Sequence, residues 1–309
     1  CLAQTHSEDR VKEKQMEEIN LDKKCLADRL CEWRKGRYMT GEWGGRRKKL
    51  EEKGITFFGS YIRENFASVR GGLSNRFEMR YMGLVELGVQ LDTEKLGLWK
   101  GGLLHIAGQN LHGTGLTDRF IGDIQTLSNI DGPRFTQLSE YWYQQKLFND
   151  KLYFKVGKQD SNAEFCALPA ADDFINSSAQ LVPTMGTTAV PTYPANSVGA
   201  VVGLNITDNV TVRSSVFDGE FVVAPLSIDT IFNGQGGIVN INEIDFHHNY
   251  KNHPGSYKFG GYYHNGNVVE FTNSPTPRLF SSNHGFYGVF EQMLYKEHKE
   301  LGMQDDQGL

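Results

Sequence analysis

The 309-residue chain has no long apolar run; nowhere does it approach the roughly 18 uncharged apolar residues that a membrane-spanning helix needs. A helical membrane protein is excluded. Cysteine is scarce too. Cys1, Cys25, Cys31 and Cys166 form no C-x-x-C pair and no zinc-ligand spacing, so neither a disulfide scaffold nor a zinc module is expected. Cys25 and Cys31 are six residues apart on what reads as one helix, too far to bridge readily. A dominant charge is missing: 32 basic and 37 acidic side chains give a net charge of −5, which does not point to nucleic acid. The nine histidines assemble no ligand set. His247 and His248 are adjacent on a predicted strand and so point to opposite faces. His264 has Tyr262 two places away on its face and no second ligand. Gly234-Gln235-Gly236-Gly237 is followed by no helical pattern and is no phosphate cradle. Glu243 and Asp245 share a strand face, as a glycosidase pair does, but no catalytic motif accompanies them. The sequence therefore suggests no enzyme, no cofactor and no metal.

What is present is glycine and aromatic side chain. There are 34 glycines, well above the usual share of about 7%. Aromatics make up 12%, too many for a disordered chain. Rich in both and free of long apolar runs, the chain fits a set of many short strands. The absence of helical spans does not exclude a membrane, because a β-barrel crosses on half of its residues.

The chain starts at Cys1. Cys1-Leu2-Ala3 reads as the tail of a secretory signal peptide, as a start whose Cys1 bears lipid, or as an arbitrary beginning. Residues 7–38 are dense in charge and contain only Gly36. Met16, Ile19, Leu26, Leu30 and Trp33 fall on one stripe, interrupted by Lys23, which predicts an amphipathic helix. It is a solvated helix packed on its own domain or, alternatively, a self-association helix.

From about residue 55 the period changes to two. Tyr81, Gly83, Val85, Leu87, Val89 and Leu91 form one row; Met82, Leu84, Glu86, Gly88, Gln90 and Asp92 form the other. About ten such segments recur, at 56–67, 81–92, 101–110, 137–148, 151–160, 197–206, 209–217, 240–250, 256–264 and 285–295. Asn149-Asp150, Asp208-Asn209 and Asn252 to Gly255 read as tight turns. The stretches 111–136, 161–196 and 218–239 read as long loops. Short turns alternating with long loops match an outer-membrane barrel, and segments near ten residues have the length to cross a bilayer tilted. A soluble sandwich shows the same alternation, with its apolar row facing a core. Two features favour the barrel. Aromatics cluster near segment ends, at Tyr141–Tyr143, Tyr262–Tyr263 and Phe286–Tyr287. Charges of both signs sit mid-segment on the polar rows.

Several motifs resemble the carbohydrate-selective porins of the OprB type. They include Met39-Thr40-Gly41-Glu42-Trp43-Gly44-Gly45-Arg46 with Leu50 and Gly54-Ile55, and the run Asp92 to Gly102 with His105. Others are Ile121 to Gln125 with Ser128-Asn129-Ile130, Glu140 to Gln145, Gly157 to Asp160 and Asn176-Ser177-Ser178. Val216 to Gly219, then Gly285 to Gly288 with Glu291-Gln292 and Leu294-Tyr295, complete the series. The resemblance covers about 39–295 and rests on order and spacing rather than on one motif. It implies an all-β fold: an antiparallel transmembrane β-barrel of the sixteen-stranded outer-membrane porin type, with about ten strands present and a short N-terminal amphipathic helix. On that basis residues 1–38 are expected to be a charged, helical, periplasmic extension. Residues 39–309 are expected to be an incomplete barrel lacking its closing third.

The resemblance further implies passive diffusion of carbohydrates across a bacterial outer membrane, with sugars and outer-membrane lipid as partners, no nucleic acid, and a possible homo-oligomer. Sugars present hydroxyls at ring edges and apolar C–H faces, so a pore that favours them needs mixed donors and acceptors plus aromatic surfaces. The polar rows offer Glu64, Glu86, Gln90, His105, Gln109, Glu140, Gln144, Lys155, Gln159, Arg213, Glu243 and Lys258 as pore-lining candidates, with Trp142 and Tyr262 as stacking surfaces. Arg119, Asp123, Arg134, Asp160 and Glu164 are candidates on constricting loops. The alternatives are a general or anion-selective porin and, further off, a secreted β-sandwich that binds or cleaves polysaccharide.

Overall fold

A computed structural model describes residues 38–295, apart from 124, 177–178, 180, 182–184, 186–189, 221, 224–231, 233, 235, 252, 271 and 273–275. The amphipathic helix expected over 7–38 lies, except for Tyr38, outside the described residues, as do Cys1, Cys25 and Cys31. The described residues divide into two compact units, with the boundary between Thr56 and Phe57.

The first unit shows what the Met39–Arg46 motif does. Gly44 and Gly45 take left-handed conformations, φ 65° and 83°, which side chains resist. They turn the chain from a 3₁₀ turn, Trp43–Gly45, into a helix α1, Arg46–Glu52. The Arg47 guanidinium lies over the Tyr38 ring at 4.0 Å and the Trp43 ring at 4.3 Å, and its Nη2 donates to Thr40 Oγ1 at 2.9 Å.

The second unit is built on strands. In chain order they are β1 (Ile55–Ser68), β2 (Glu78–Asp92), β3 (Gly102–Gly113), β4 (Phe135–Leu147), β5 (Leu152–Gln159), β6 (Ser197–Thr207), β7 (Val210–Asp218), β8 (Ile238–Tyr250) and β9 (His253–His264). A two-residue pair follows, β10 (Val268–Val269) with β11 (Leu279–Phe280), and then β12 (Asn283–Gln292). Strands β1 to β9 and β12 make one ten-stranded antiparallel meander in sequence order, with β1 and β12 at its two edges. Each segment of period-two alternation is a strand of this sheet. The small β10–β11 hairpin was not expected. One turn differs from expectation: Tyr250 already pairs with His253, so His253 to Gly255 belong to the strand and the reversal is tighter.

Register aligns the rows across β2 to β9 and β12. Gln90 opposes His105, His105 opposes Trp142, Gln144 opposes Lys155, and Arg213 opposes Glu243. One row is therefore a continuous inner face and the other a continuous outer face. The burial is the reverse of a soluble sandwich. Apolar outer side chains are exposed, among them Leu87 (64%), Ile206 (58%), Phe259 (47%) and Phe286 (92%). Polar inner side chains are buried, among them Lys155 (4%), Glu243 (3%) and Asp245 (1%). Exposed apolar area on this scale marks a surface meant for a nonaqueous neighbour.

Aromatics on the inner face lie over glycines of the neighbouring strand. A Cβ at Gly203 would stand 2.0 Å from the Tyr153 ring, one at Gly260 2.2 Å from Tyr287, and one at Gly88 2.2 Å from Phe58. Glycine on the inner row is thus required for close approach, which accounts for much of the glycine content of the strands.

Candidate functional site

The inner face divides into two regions. Over β5 to β9 and β12 it is covered by the segment that follows β5. Phe165 and Cys166 pack on Val201, Phe217, Val239, Ile241, Tyr287 and Val289. Hydrogen bonds fix the segment to the wall: Cys166 N donates to Glu243 Oε2 at 2.8 Å, Ala170 N to Glu291 Oε1 at 3.0 Å, and Lys258 Nζ to the Ala167 carbonyl. Charges meet in pairs beneath it. Arg213 Nη1 donates to Glu243 Oε1 at 3.2 Å and to Asp245 Oδ2 at 3.3 Å. Lys155 Nζ donates to Glu164 Oε1 at 3.2 Å, and Tyr153 Oη to Glu164 Oε2 at 2.8 Å. Tyr287 Oη adds a bond to Glu243 at 2.9 Å. Burying charge is costly unless it is paired and hydrogen-bonded, and each of these charges is.

Over β1 to β4 the arrangement differs. Phe58, His105 and Trp142 stack in series, with centroid distances of 5.1 Å and 4.6 Å, and Lys155 Nζ caps Trp142 at 4.2 Å from its ring. Phe58 reaches His105 across β2 because Gly88 has no side chain there. Gln90 and His105 bond at 3.1 Å, Gln109 Nε2 donates to Glu86 at 2.6 Å, and Trp142 Nε1 donates to Glu140 at 2.8 Å. Acceptor ends of this region are left over: Glu64 Oε2, Gln109 Oε1 and Gln137 Oε1 are buried and accept no hydrogen bond from the protein, as is Gln159 Oε1 at the end of β5.

The sequence-derived candidates are distributed as follows. Glu86, Gln90, His105, Gln109, Glu140, Trp142, Gln144, Lys155, Gln159, Arg213, Glu243, Lys258 and Tyr262 fall on the inner row by register, and Glu64 by alternation with Phe58. Trp142 is sandwiched between His105 from β3 and Lys155 from β5, which occupies both faces of its ring. Of the loop candidates, Glu164 reaches the wall. Asp160 ends β5 and accepts from Asn162 N at 2.8 Å and Tyr193 N at 3.2 Å; burial raises its carboxyl above the usual aspartate value against those bonds. Arg119 and Arg134 instead line, with Asp131, a separate cavity of about 630 Å³ between the loop after β3 and β2. Asp131 is also raised by burial, against a bond from Thr117. Asp123 has two buried carboxylate oxygens without a hydrogen-bond partner.

Sequence reasoning missed Tyr153, Tyr287 and Gln137 as members of the polar network, and Phe58 in the aromatic series. Each stands on an inner row, and the first two oppose glycines, a signal that only register makes readable. His247 lies with Asp245, at 3.1 Å, and His248 with Tyr257 on the other face.

Three comparisons bear on this arrangement. The model of the carbohydrate-selective porin, OprB family, matches residues 76–307. Porin B of Pseudomonas aeruginosa is 32% identical over 146 residues, which span 45% of this chain and 32% of Porin B. A solved high-pH structure of Pseudomonas putida OprB superposes with a TM-score of 0.74 at 25% identity, covering 84% of this chain and 66% of that one. The chain thus spans about a third of the length of the curated relative and about two thirds of the solved neighbour. With exposed apolar and buried polar rows on one antiparallel sheet, the chain belongs to the carbohydrate-selective porin family of the OprB type and to the bacterial outer membrane.

Proposed function

We propose that the chain contributes the wall of a pore through which carbohydrates diffuse passively across the outer membrane, with no chemical step. The observation that carries this reading is the inverted sheet: the outer row is apolar and open, as lipid requires, and the inner row is polar and lined with donors and acceptors. Half-buried Glu86, Gln90, Glu140 and Gln144 on β2 and β4 are the groups proposed to meet sugar hydroxyls. Phe58 and Tyr262 are the rings proposed to meet C–H faces, since both faces of Trp142 are taken. The segment after β5, held by Glu164 and Glu243, narrows the path. Individually weak contacts suit diffusion, because a solute that binds tightly does not leave.

The test is sugar flux. Liposomes carrying the protein are expected to take up mono- or oligosaccharides, measured by osmotic swelling, at rates that saturate with sugar concentration. Uptake no faster than in protein-free liposomes contradicts the proposal.

A further inference from the structure

We infer that the outer face of β1 to β4, at the end where the long loops lie, binds the phosphate of a lipid headgroup through Arg63 and Arg134. The inference goes beyond the pore reading. It concerns the opposite face of the sheet and does not depend on whether sugars pass.

The first observation is where charge stands on the outer row. By alternation with Phe58, β1 turns Gly59, Tyr61 and Arg63 outward. A Cβ at Gly59 would stand 2.8 Å from Leu87 Cδ2, which belongs to the outer row. Along β1 to β4 that row carries no Asp, Glu or Lys and a single Arg, the exposed Arg63. Its neighbours set its depth. The guanidinium lies 5.6 Å from the centroid of the Tyr81 ring. Tyr61 stacks on His112 at 6.0 Å, and Tyr81 meets the same imidazole edge-on at 6.3 Å. The imidazole lies over Gly83, where a Cβ would stand 2.5 Å from Nε2. Tyrosines favour the membrane interface. The next residues down the row, Val85 and Leu87, are apolar. Arginine on a lipid-facing row is costly at mid-membrane and tolerated at headgroup level, and Arg63 stands at that level on the long-loop side.

The second observation is a cavity of about 430 Å³ beside it, bounded by Met79, Arg80, Tyr81, His112, Thr114 and Arg134. Arg134 Nε donates to the Gly113 carbonyl at 2.7 Å, which fixes the guanidinium at the strand end. Arg80 is paired with Glu78 at 2.7 Å. Arg63 and Arg134 have no carboxylate within ion-pair distance among the described residues. Residues 69–77, which join β1 to β2 at this end, add Arg70 and Arg76 and no Asp or Glu. The turns at the other end mix the signs: Asp92 lies 4.0 Å from Lys95, and Lys146 3.7 Å from Asp150. The surplus of positive charge on this face is therefore confined to one rim.

A guanidinium presents paired donors that match two phosphate oxygens. Cations at a membrane surface draw anionic headgroups. The site opens on the lipid-facing row, so the counter-charge that fits it is one carried by a lipid. Such a lipid sets its phosphate against Arg63 and Arg134 and its acyl chains along the exposed Leu87 and Ile106. A free phosphate gains the arginines and nothing from the apolar row.

The experiment is native mass spectrometry of the full chain in detergent micelles, titrated with lipid A, with lipid A stripped of its phosphates, and with inorganic phosphate. The expected result is a single lipid A per chain, bound about tenfold or more tighter than the stripped lipid. Inorganic phosphate in large excess should displace little of it. Raising ammonium acetate from about 0.1 M to about 1 M shortens the screening length from about 10 Å to about 3 Å and should weaken lipid A alone. Arg63→Gln with Arg134→Gln should bring lipid A down to the affinity of the stripped lipid. Lys151→Gln, on the exposed turn after β4, should leave it unmoved. Circular dichroism shows whether the double variant keeps its sheet; if it does not, the two lipids on the unaltered protein decide. Equal affinity for the two lipids overturns the site. So does displacement by equimolar inorganic phosphate, a folded double variant that binds lipid A unchanged, or a dimer that excludes the lipid. Failure of sugar uptake overturns the pore and leaves this site standing.

Discussion

The two halves of the inner face solve the same problem in different ways. Polar side chains must stand on a sheet whose other side is apolar. From β5 onward the solution is internal: charges pair, a segment of the chain covers them, and apolar residues such as Phe165 fill the remaining space. From β1 to β4 the solution is mixed: Ile130, Phe135 and Tyr193 cover the face at Met82, Leu84 and Leu111, while elsewhere carboxylates and buried amide oxygens keep acceptor capacity and an aromatic series runs beside them. The first half is a foundation for the loop. The second is the surface proposed for solute. Polar content alone does not separate structural from functional polarity on this wall; the partner of each group does.

That contrast can be broken by substitution. Glu243→Ala removes the acceptor shared by Arg213, Cys166 N and Tyr287, and should destabilise the folded protein by about 3–5 kcal/mol, measured by urea unfolding from lipid vesicles. Glu86→Ala in the other half should cost far less, because its partner Gln109 is an uncharged amide. Equal costs would erase the difference between the halves.

Arginine at Leu87 or at Val202 probes the outer row behind each half. Either should cost about 2–4 kcal/mol near mid-membrane, by the same unfolding assay. A large gap between the two would place the asymmetry outside the inner face. Gly203→Val and Gly88→Val test the aromatic seats in both halves. Each should cost about 1–3 kcal/mol, since Tyr153 or Phe58 must leave its position.

The smallest effect concerns the loop anchor. Asp160→Ala removes the cap on the turn that begins the loop and should cost about 0.5–2 kcal/mol. Burial raises the folded pKa of Asp160, so its proton binding favours the folded state as pH falls. The gain grows as pH drops through that raised value and is complete below the ordinary value of about 3.9. Asp160→Asn keeps the acceptor and should flatten this part of the pH dependence of stability.

Much of the fold was readable because alternation is local. Val210, Val212 and Val216 against Thr211, Arg213 and Ser215 declare a strand and its two faces without reference to any other part of the chain. What each face meets is not local, and one turn and the β10–β11 hairpin escaped because loop residues carry no period. The site was readable only as rows. That Cys166 bonds to Glu243 is a contact across 77 positions. Trp142 looked like a free stacking surface because neither His105 nor Lys155 is near it in sequence. Arg119 and Arg134, grouped with Glu164 by loop length, line a different cavity although the two loops bond to each other, Asn176 Nδ2 to the Thr126 carbonyl at 2.9 Å and Tyr193 Oη to the Ile130 carbonyl at 3.0 Å.

The central claim is that adjacent residues on one strand face different solvents. Nitroxide labels at Glu86→Cys and Leu87→Cys, in a background with Cys1, Cys25, Cys31 and Cys166 replaced by alanine, test it directly in lipid bilayers. The label at 86 should be relaxed by a water-soluble nickel chelate and the label at 87 by membrane-dissolved oxygen. The same relaxing agent acting on both positions would contradict the claim.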